Sequence, residues 1–260
     1  MPQDGAGVQL DAKVAIVTGA GRGMGAATAE MFASAGARVM VSDINAETGE
    51  AVAQAIRDSG GDARFHRCDV SRSADVEALV AATVDAYGRL DCAVNNAAVS
   101  PDTHVLAELD EAEFDRVIAV DLKGVALCLR YELAQLLRQG DGGAIVNVSS
   151  VSGFRPQPAN AAYNAAKHAV LGLTKTASLE NAGQGIRVNA VCPGAIDTKM
   201  LRDAIETIGS TEAEVAPMLS LFGRFGRPDE VAQASLWLCS DYASFVTGAA
   251  LLVDAGYTSR

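Results

Sequence analysis

The sequence predicts an α/β fold, a single doubly wound parallel sheet of about seven strands with helices on both faces. Three observations carry that expectation. Short β-rich apolar runs alternate with longer helical stretches along the whole chain. The runs, such as KVAIVT at 13–18, are apolar without a polar alternation, as strands covered on both faces are. A glycine-rich turn joins the first run to the first helical stretch.

The elements follow in order. Residues 1–11 read as a loose leader, and strand 13–18 runs into the turn TGAGRGMG at 18–25, then a helix over 26–35. A strand, a glycine turn and a helix start aim amide N–H groups and a helix dipole at one point, which suits a phosphate. The second strand, 38–43, ends in Asp43, 24 positions after Gly19. A carboxylate there accepts from adenosine ribose hydroxyls and repels a 2′-phosphate, so NAD is favoured over NADP. Arg22 points the other way if it meets a 2′-phosphate, but it equally suits solvent or a pyrophosphate. Helices near 46–58 and 73–86 and strands at 63–68 and 90–94 continue the rhythm. Asp69 follows a strand end, either beside an adenine or as a turn or cap residue. NNAA at 95–98 ends the fourth strand with small residues that allow close approach of a ligand. A long helix over 111–137, a turn at 141–143, strand five from 144, a helix to about 181 and a sixth strand over 185–192 come next. Residues 195–225 lose the alternation and carry apolar residues, as a lid over a site or an ordinary helical hairpin would. RPDE at 227–230 opens a last helix and 249–254 is a closing strand. No repeat, linker or low-complexity stretch divides the chain, so a single Rossmann-type domain is expected over 1–260.

Composition narrows the partners. The 260 residues are 49% hydrophobic, enough to bury a full core, with a net charge of −11 and no basic cluster. That argues against nucleic acid and anionic membranes as partners. The odd number of cysteines, five, are spread without a CxxC pair and read as reduced core residues of a cytoplasmic protein. No uncharged apolar run nears the ~20 residues of a membrane span. No cluster has metal-ligand spacing, so no metal is expected.

Chemistry concentrates in SVSGFRPQPANAAYNAAK at 150–167. Tyr163 and Lys167 stand at i, i+4 on a helix, where an ammonium favours the phenolate and lowers the phenol pKa. Such a phenol can exchange a proton with an alcohol or ketone. Ser150 ends a buried strand, at the carboxyl edge where open parallel sheets bind ligands.

Together these residues resemble the short-chain dehydrogenase/reductase family over about 11–257. The marks are TGAGRGMG at 18–25, Asp43, CDV at 68–70, NNAA at 95–98, Ser150, YNAAK at 163–167, PGAIDT at 193–198 and VTGAALLVDAG at 246–256. The resemblance implies an NAD-dependent oxidoreductase interconverting a secondary alcohol and a ketone. In it Tyr163 is the acid/base, Ser150 bonds the substrate oxygen, and Lys167 binds the nicotinamide ribose and lowers the Tyr163 pKa. Gly19, Gly21, Arg22, Gly23, Met24 and Gly25 cradle the pyrophosphate. Asp43 with Ile44 reads the adenosine ribose; Asp69, Val70 and Asn96 line the adenosine half, with Ala97 and Ala98 beside them. Pro193, Gly194, Ile196 and Thr198 hold the carboxamide end. Family members are usually tetramers, so a homotetramer is expected.

Two departures stand out. Ala98 replaces the family's usual glycine. Asp121 stands where the family shows a fourth catalytic residue, an asparagine at a helix kink whose carbonyl holds a water linked to the lysine. An ionised Asp121 would offset the Lys167 field and raise the working pKa of Tyr163. The expected substrate walls, Val99, Val151, Phe154, Pro156, Met200, Met218 and Phe222, are apolar, which points to a cyclic or otherwise hydrophobic secondary alcohol. The runner-up within this chemistry is an NADPH-dependent keto reductase. A non-catalytic NAD(H)-binding scaffold needs neither Ser150 nor an acidified phenol, and turnover separates it. A serine hydrolase lacks both a GxSxG elbow and a histidine facing Ser150.

Overall fold

A computed structural model describes residues 8–259. Seven strands form one parallel sheet in the order β3-β2-β1-β4-β5-β6-β7. They are β1 (Val14–Thr18), β2 (Arg38–Asp43), β3 (Asp62–Arg67), β4 (Cys92–Asn95), β5 (Gly143–Val148), β6 (Ile186–Pro193) and β7 (Ala250–Val253). Among the described residues the α-helices are α1 (Gly23–Ser34), α2 (Ala46–Asp58), α3 (Ser73–Tyr87), α4 (Glu111–Val117), α5 (Val125–Gln139), α6 (Ala161–Asn181), α7 (Lys199–Thr207), α8 (Glu212–Leu219) and α9 (Pro228–Cys239).

The apolar strand runs are explained by what covers them. On β1, Ala15 and Val17 pack with α1, α2 and α9, while Val14 and Ile16 pack with α3, α5 and α6 on the opposite face. Successive side chains point to opposite faces, so a strand buried on both sides must be apolar at every position. The order reverses between β1 and β4, and the loops leaving those two strands diverge around a crevice at the sheet's carboxyl edge. The glycine turn, NNAA and Ser150 all open onto that edge.

Two expectations need correction. Residues 1–7 of the proposed leader lie outside the described residues, but 8–11 are not loose. Leu10 is fully buried, and its N–H donates to the Ala35 carbonyl at 2.7 Å. The helix expected over 111–137 is interrupted by a π segment, Ile118–Gly124, joining α4 to α5. That segment carries Asp121. Over 195–225, α7 and α8 form a hairpin with a small core of their own, centred on Ile205, Val215, Ala216 and Phe225.

Candidate active site

Helix α6 begins two residues before Tyr163, and its first turn is capped from a distance. Asn160, at the cap position, makes no side-chain bond to the helix. Instead Asp102, buried in the loop after β4, accepts from the N–H groups of Ala162 at 3.0 Å and Tyr163 at 3.1 Å. The Asn160 amide closes the arrangement by donating to the Asp102 carbonyl at 2.6 Å. The orphan donors of a helix start are thereby met by a side chain 60 residues away.

Lys167 lies one turn on, its side chain 3% exposed. Its Nζ stands 3.3 Å from the Val148 carbonyl and 3.3 Å from Asp121 Oδ2, and 5.3 Å from the centre of the Tyr163 ring. Asp121 is fully buried; its other oxygen accepts from the Val99 N–H at 2.9 Å. The carboxylate is thus a direct counter-ion to Lys167. Burial works to lower the Lys167 pKa, but Asp121 and Tyr163 more than offset it and hold the ammonium above its ordinary value. Burial pushes the Asp121 carboxyl up, with Lys167 and the Val99 amide opposing. Ser150, at the end of β5, accepts from the Ser152 N–H at 3.0 Å, which leaves its own O–H free to turn toward a ligand or the phenol.

The phenol itself departs from expectation. In the protein alone Tyr163 sits above its ordinary value, because burial outweighs the Lys167 field and the Ser150 bond, and Asp121 adds to the rise. The Lys167 field still favours the phenolate, but Asp121, 3.3 Å from its Nζ, offsets part of that field.

On the cofactor side the glycine turn shows why these positions carry glycine. Gly19 has φ +62°, and a Cβ there would come within 2.7 Å of the Ala97 backbone; a Cβ at Gly25 would collide with the Gly19 carbonyl. The turn is packed against the strand-four loop with no room for side chains. The Arg22 side chain makes no capping bond to α1, so the first-turn N–H groups are left for an anion. Asp43, at the tip of β2, accepts from Gly21 N–H and Asn45 N–H, each at 2.9 Å, fixing its carboxylate beside the turn. Exposed Ile44 stands next to it. The corner thus combines free helix-start N–H donors with a fixed carboxylate acceptor.

Other residues expected near the cofactor also make contacts within the chain. The Asn96 amide donates to the Thr18 and Gly19 carbonyls at 3.0 and 3.1 Å, bracing the glycine turn, with Ala97 and Ala98 half-buried behind it. Asp69 accepts from the Ser71 N–H and hydroxyl, the turn role. The Val70 side chain belongs to the core, against Gly124.

A cavity of about 470 Å³ opens beside Tyr163 and Ser150. Met24, Pro193, Gly194, Ile196 and Thr198, all expected beside a cofactor, are among its lining residues. Val151 and Met200 line it as expected, with Leu201 and Ala204 from α7, Ile208 just after it and Leu219 from α8. Val99, Phe154, Pro156 and Met218 do not. The Val99 backbone is drawn to Asp121, and Phe154, Pro156 and Met218 are on the exposed surface. Phe222 lines a neighbouring cavity of about 330 Å³ near the β7 end. Sequence reasoning missed Asp102 and Gln157, the second of which also faces the main cavity. Neither carries a local signal, because Asp102 acts across 60 residues and Gln157 sits in a loop.

Comparison with known proteins decides the family. The family model described as enoyl-(acyl carrier protein) reductase matches residues 19–258. A short chain dehydrogenase/reductase, astE, of Aspergillus oryzae is 50% identical over 248 residues, 95% of either chain. The chain belongs to the short-chain dehydrogenase/reductase family. Among other family members, a 2,5-dichloro-2,5-cyclohexadiene-1,4-diol dehydrogenase of Sphingobium indicum is 45% identical over 253 residues, 96% of this chain and 98% of that one. The crystal structure of levodione reductase superposes with a TM-score of 0.90 at 34% identity, covering 96% of this chain and 99% of the other. Among the described residues no helix is long and apolar enough to cross a membrane.

Proposed function

We propose that this protein is an NAD-dependent dehydrogenase that oxidises a secondary alcohol on a hydrophobic ring to the ketone, and runs the reverse reduction. The observation that carries the reading is one constellation: Ser150 and Tyr163 on the wall of a largely apolar cavity, with buried Lys167 5.3 Å from the centre of the Tyr163 ring, beside an anion-ready glycine turn. The related dehydrogenase named for a cyclohexadienediol supports a cyclic substrate. What a bound nicotinamide supplies is an acceptor for the hydride of the carbinol carbon. The chain's own residues do the rest. Ser150 donates to the substrate oxygen and orients it, and the Tyr163 oxygen takes the hydroxyl proton. Lys167 stabilises the phenolate that would carry away that proton, and the cavity walls exclude water.

Asp43, fixed beside the glycine turn, supports NAD by opposing a 2′-phosphate. A second reading, NADPH-dependent keto reduction, draws on two cations at the same corner: exposed Arg22, and Arg67, paired with Asp43 across β2 and β3. All five cysteines are free and buried, which supports a reducing, cytoplasmic setting. Leu179 and Phe245, both largely exposed, support assembly into the homotetramer implied by the family. The test is reduced-nicotinamide absorbance with a panel of cyclic secondary alcohols, NAD and NADP in parallel, and Tyr163→Phe as control. NADH formed by wild type and not by the variant is the expected result. NADPH alone would reverse the cofactor reading, and cofactor binding without turnover of any alcohol would favour a scaffold.

A further inference from the structure

The main cavity has an unusual balance of charge and polarity. Among the described residues its lining includes no lysine, arginine or histidine side chain. Asp203, the lining carboxylate, is tied to Lys199 at 2.7 Å. Lys167, the cation nearest the reacting phenol, is matched by Asp121 at 3.3 Å. A substrate carboxylate or phosphate entering here would lose its hydration and meet no uncompensated cation.

One wall nevertheless offers a strong hydrogen-bonding group. Gln157 lies in the loop between Ser150 and α6, and its backbone is clamped to that helix at the residue after Tyr163. The Asn164 amide donates to the Gln157 carbonyl at 2.7 Å and accepts from the Gln157 N–H at 3.2 Å. Gln157 is one of the residues lining the cavity, and its side-chain amide makes no hydrogen bond to any described residue. Two neighbouring polar groups are already engaged: the Asn160 amide donates to the Asp102 and Ala159 carbonyls, and the Thr207 hydroxyl to the Asp203 carbonyl. A rigidly mounted, unpaired amide on a half-buried wall is a donor and an acceptor awaiting a partner.

We propose that the substrate is a neutral ring alcohol bearing a second hydroxyl or keto group, and that Gln157 is the residue that selects it. The inference rests on the dehydrogenase reading above and adds the substrate's second functional group and charge.

The test compares cyclohexanol, 1,4-cyclohexanediol and 4-hydroxycyclohexanecarboxylate by kcat/KM. For wild type the diol should exceed cyclohexanol about tenfold after halving for its two equivalent hydroxyls. The carboxylate should fall at least about tenfold below cyclohexanol. Gln157→Leu should bring the diol-to-cyclohexanol ratio within about threefold of unity. Gln157→Lys should raise the carboxylate at least about tenfold, a gain that misfolding cannot imitate. A wild-type ratio near unity, or one that Gln157→Leu leaves intact, overturns the proposal. Calorimetric binding of the same compounds to the NADH-loaded protein reads the preference without turnover. Preserved binding order with no turnover would strike the reaction assigned above and leave the subsite standing, whereas equal binding would strike the subsite alone.

Discussion

Glu132 is a buried acid with no cation beside it, and removing its charge should stabilise the protein in a pH-dependent way. It lies on α5, 1% exposed, with Oε2 accepting from the Asn95 amide at 3.0 Å. The same amide donates to Asn147, which donates to Thr174, so a file of polar side chains crosses β4 and β5 to reach α6. Burial raises the Glu132 pKa from the ordinary 4.5 to about 7, with the Asn95 bond opposing. Between those two values the folded protein holds a proton that the unfolded chain has released. Stability therefore falls as pH rises from 4.5 toward 7 and stays lowered above it. At about 1.4 kcal/mol per pH unit, the full loss is about 3 kcal/mol. Glu132→Gln has no proton to lose, keeps an acceptor for Asn95, and places a donor near Asn95 Oδ1, which is buried without a partner. Urea unfolding of both proteins at pH 5 and pH 9, at one fixed protein concentration, provides the comparison. The variant should be level with wild type to within about 1 kcal/mol at the lower pH and ahead by about 3 kcal/mol at the higher. A stability difference that stays constant between the two would refute the account, because only titration of Glu132 makes it vary.

Asp121→Asn should move the acid limb of the alcohol-oxidation profile to lower pH, since Asp121 raises the Tyr163 pKa and the oxidation needs the phenolate. The same variant should lose on the order of 3 kcal/mol of stability, because Lys167 is left charged and buried without its counter-ion; superimposable pH–rate curves would remove the first part. Asp102→Ala should cost about 1–2 kcal/mol in denaturant and lower kcat about tenfold with KM little changed, as the first turn of α6 loosens around Tyr163. Recovery of most of kcat by Asp102→Asn, which keeps one acceptor, would separate capping from a general loss of folding. Asp43→Asn should shift the ratio of kcat/KM for NAD over NADP toward NADP by about tenfold or more, as measured with both cofactors on one alcohol.

The strands were legible because burial on both faces forces unbroken apolar runs, and the helices because their caps and lengths are local. The trio proposed for catalysis was legible for the same reason: Tyr163 and Lys167 share one helix face, and Ser150 closely follows a strand. What escaped reading depends on contacts between distant segments. The π segment around Asp121 has no composition of its own. Asn96 has the right chemistry to meet a nucleotide, but the close approach of the Gly19 turn engages its amide. Leu10 resembles any residue of a polar leader until the turn after α1 closes over it. Phe154 and Met218 are apolar, yet apolarity does not say which side of a loop meets the cavity.

The capping of α6 by Asp102 also sets an order of assembly. Helices usually begin from residues next to them, and can nucleate before the rest of the chain has settled. Here the acceptors for Ala162 and Tyr163 N–H arrive on the loop after β4, which must first dock beside the sheet. The first turn of α6 is therefore a non-local piece of structure, whose caps are complete only with the loop after β4 in place. Amide hydrogen exchange at Ala162 and Tyr163 will track detachment of that loop and not fraying of the helix. The phenol is thus mounted only once the crevice around it exists, so a partly folded chain cannot present it in working position.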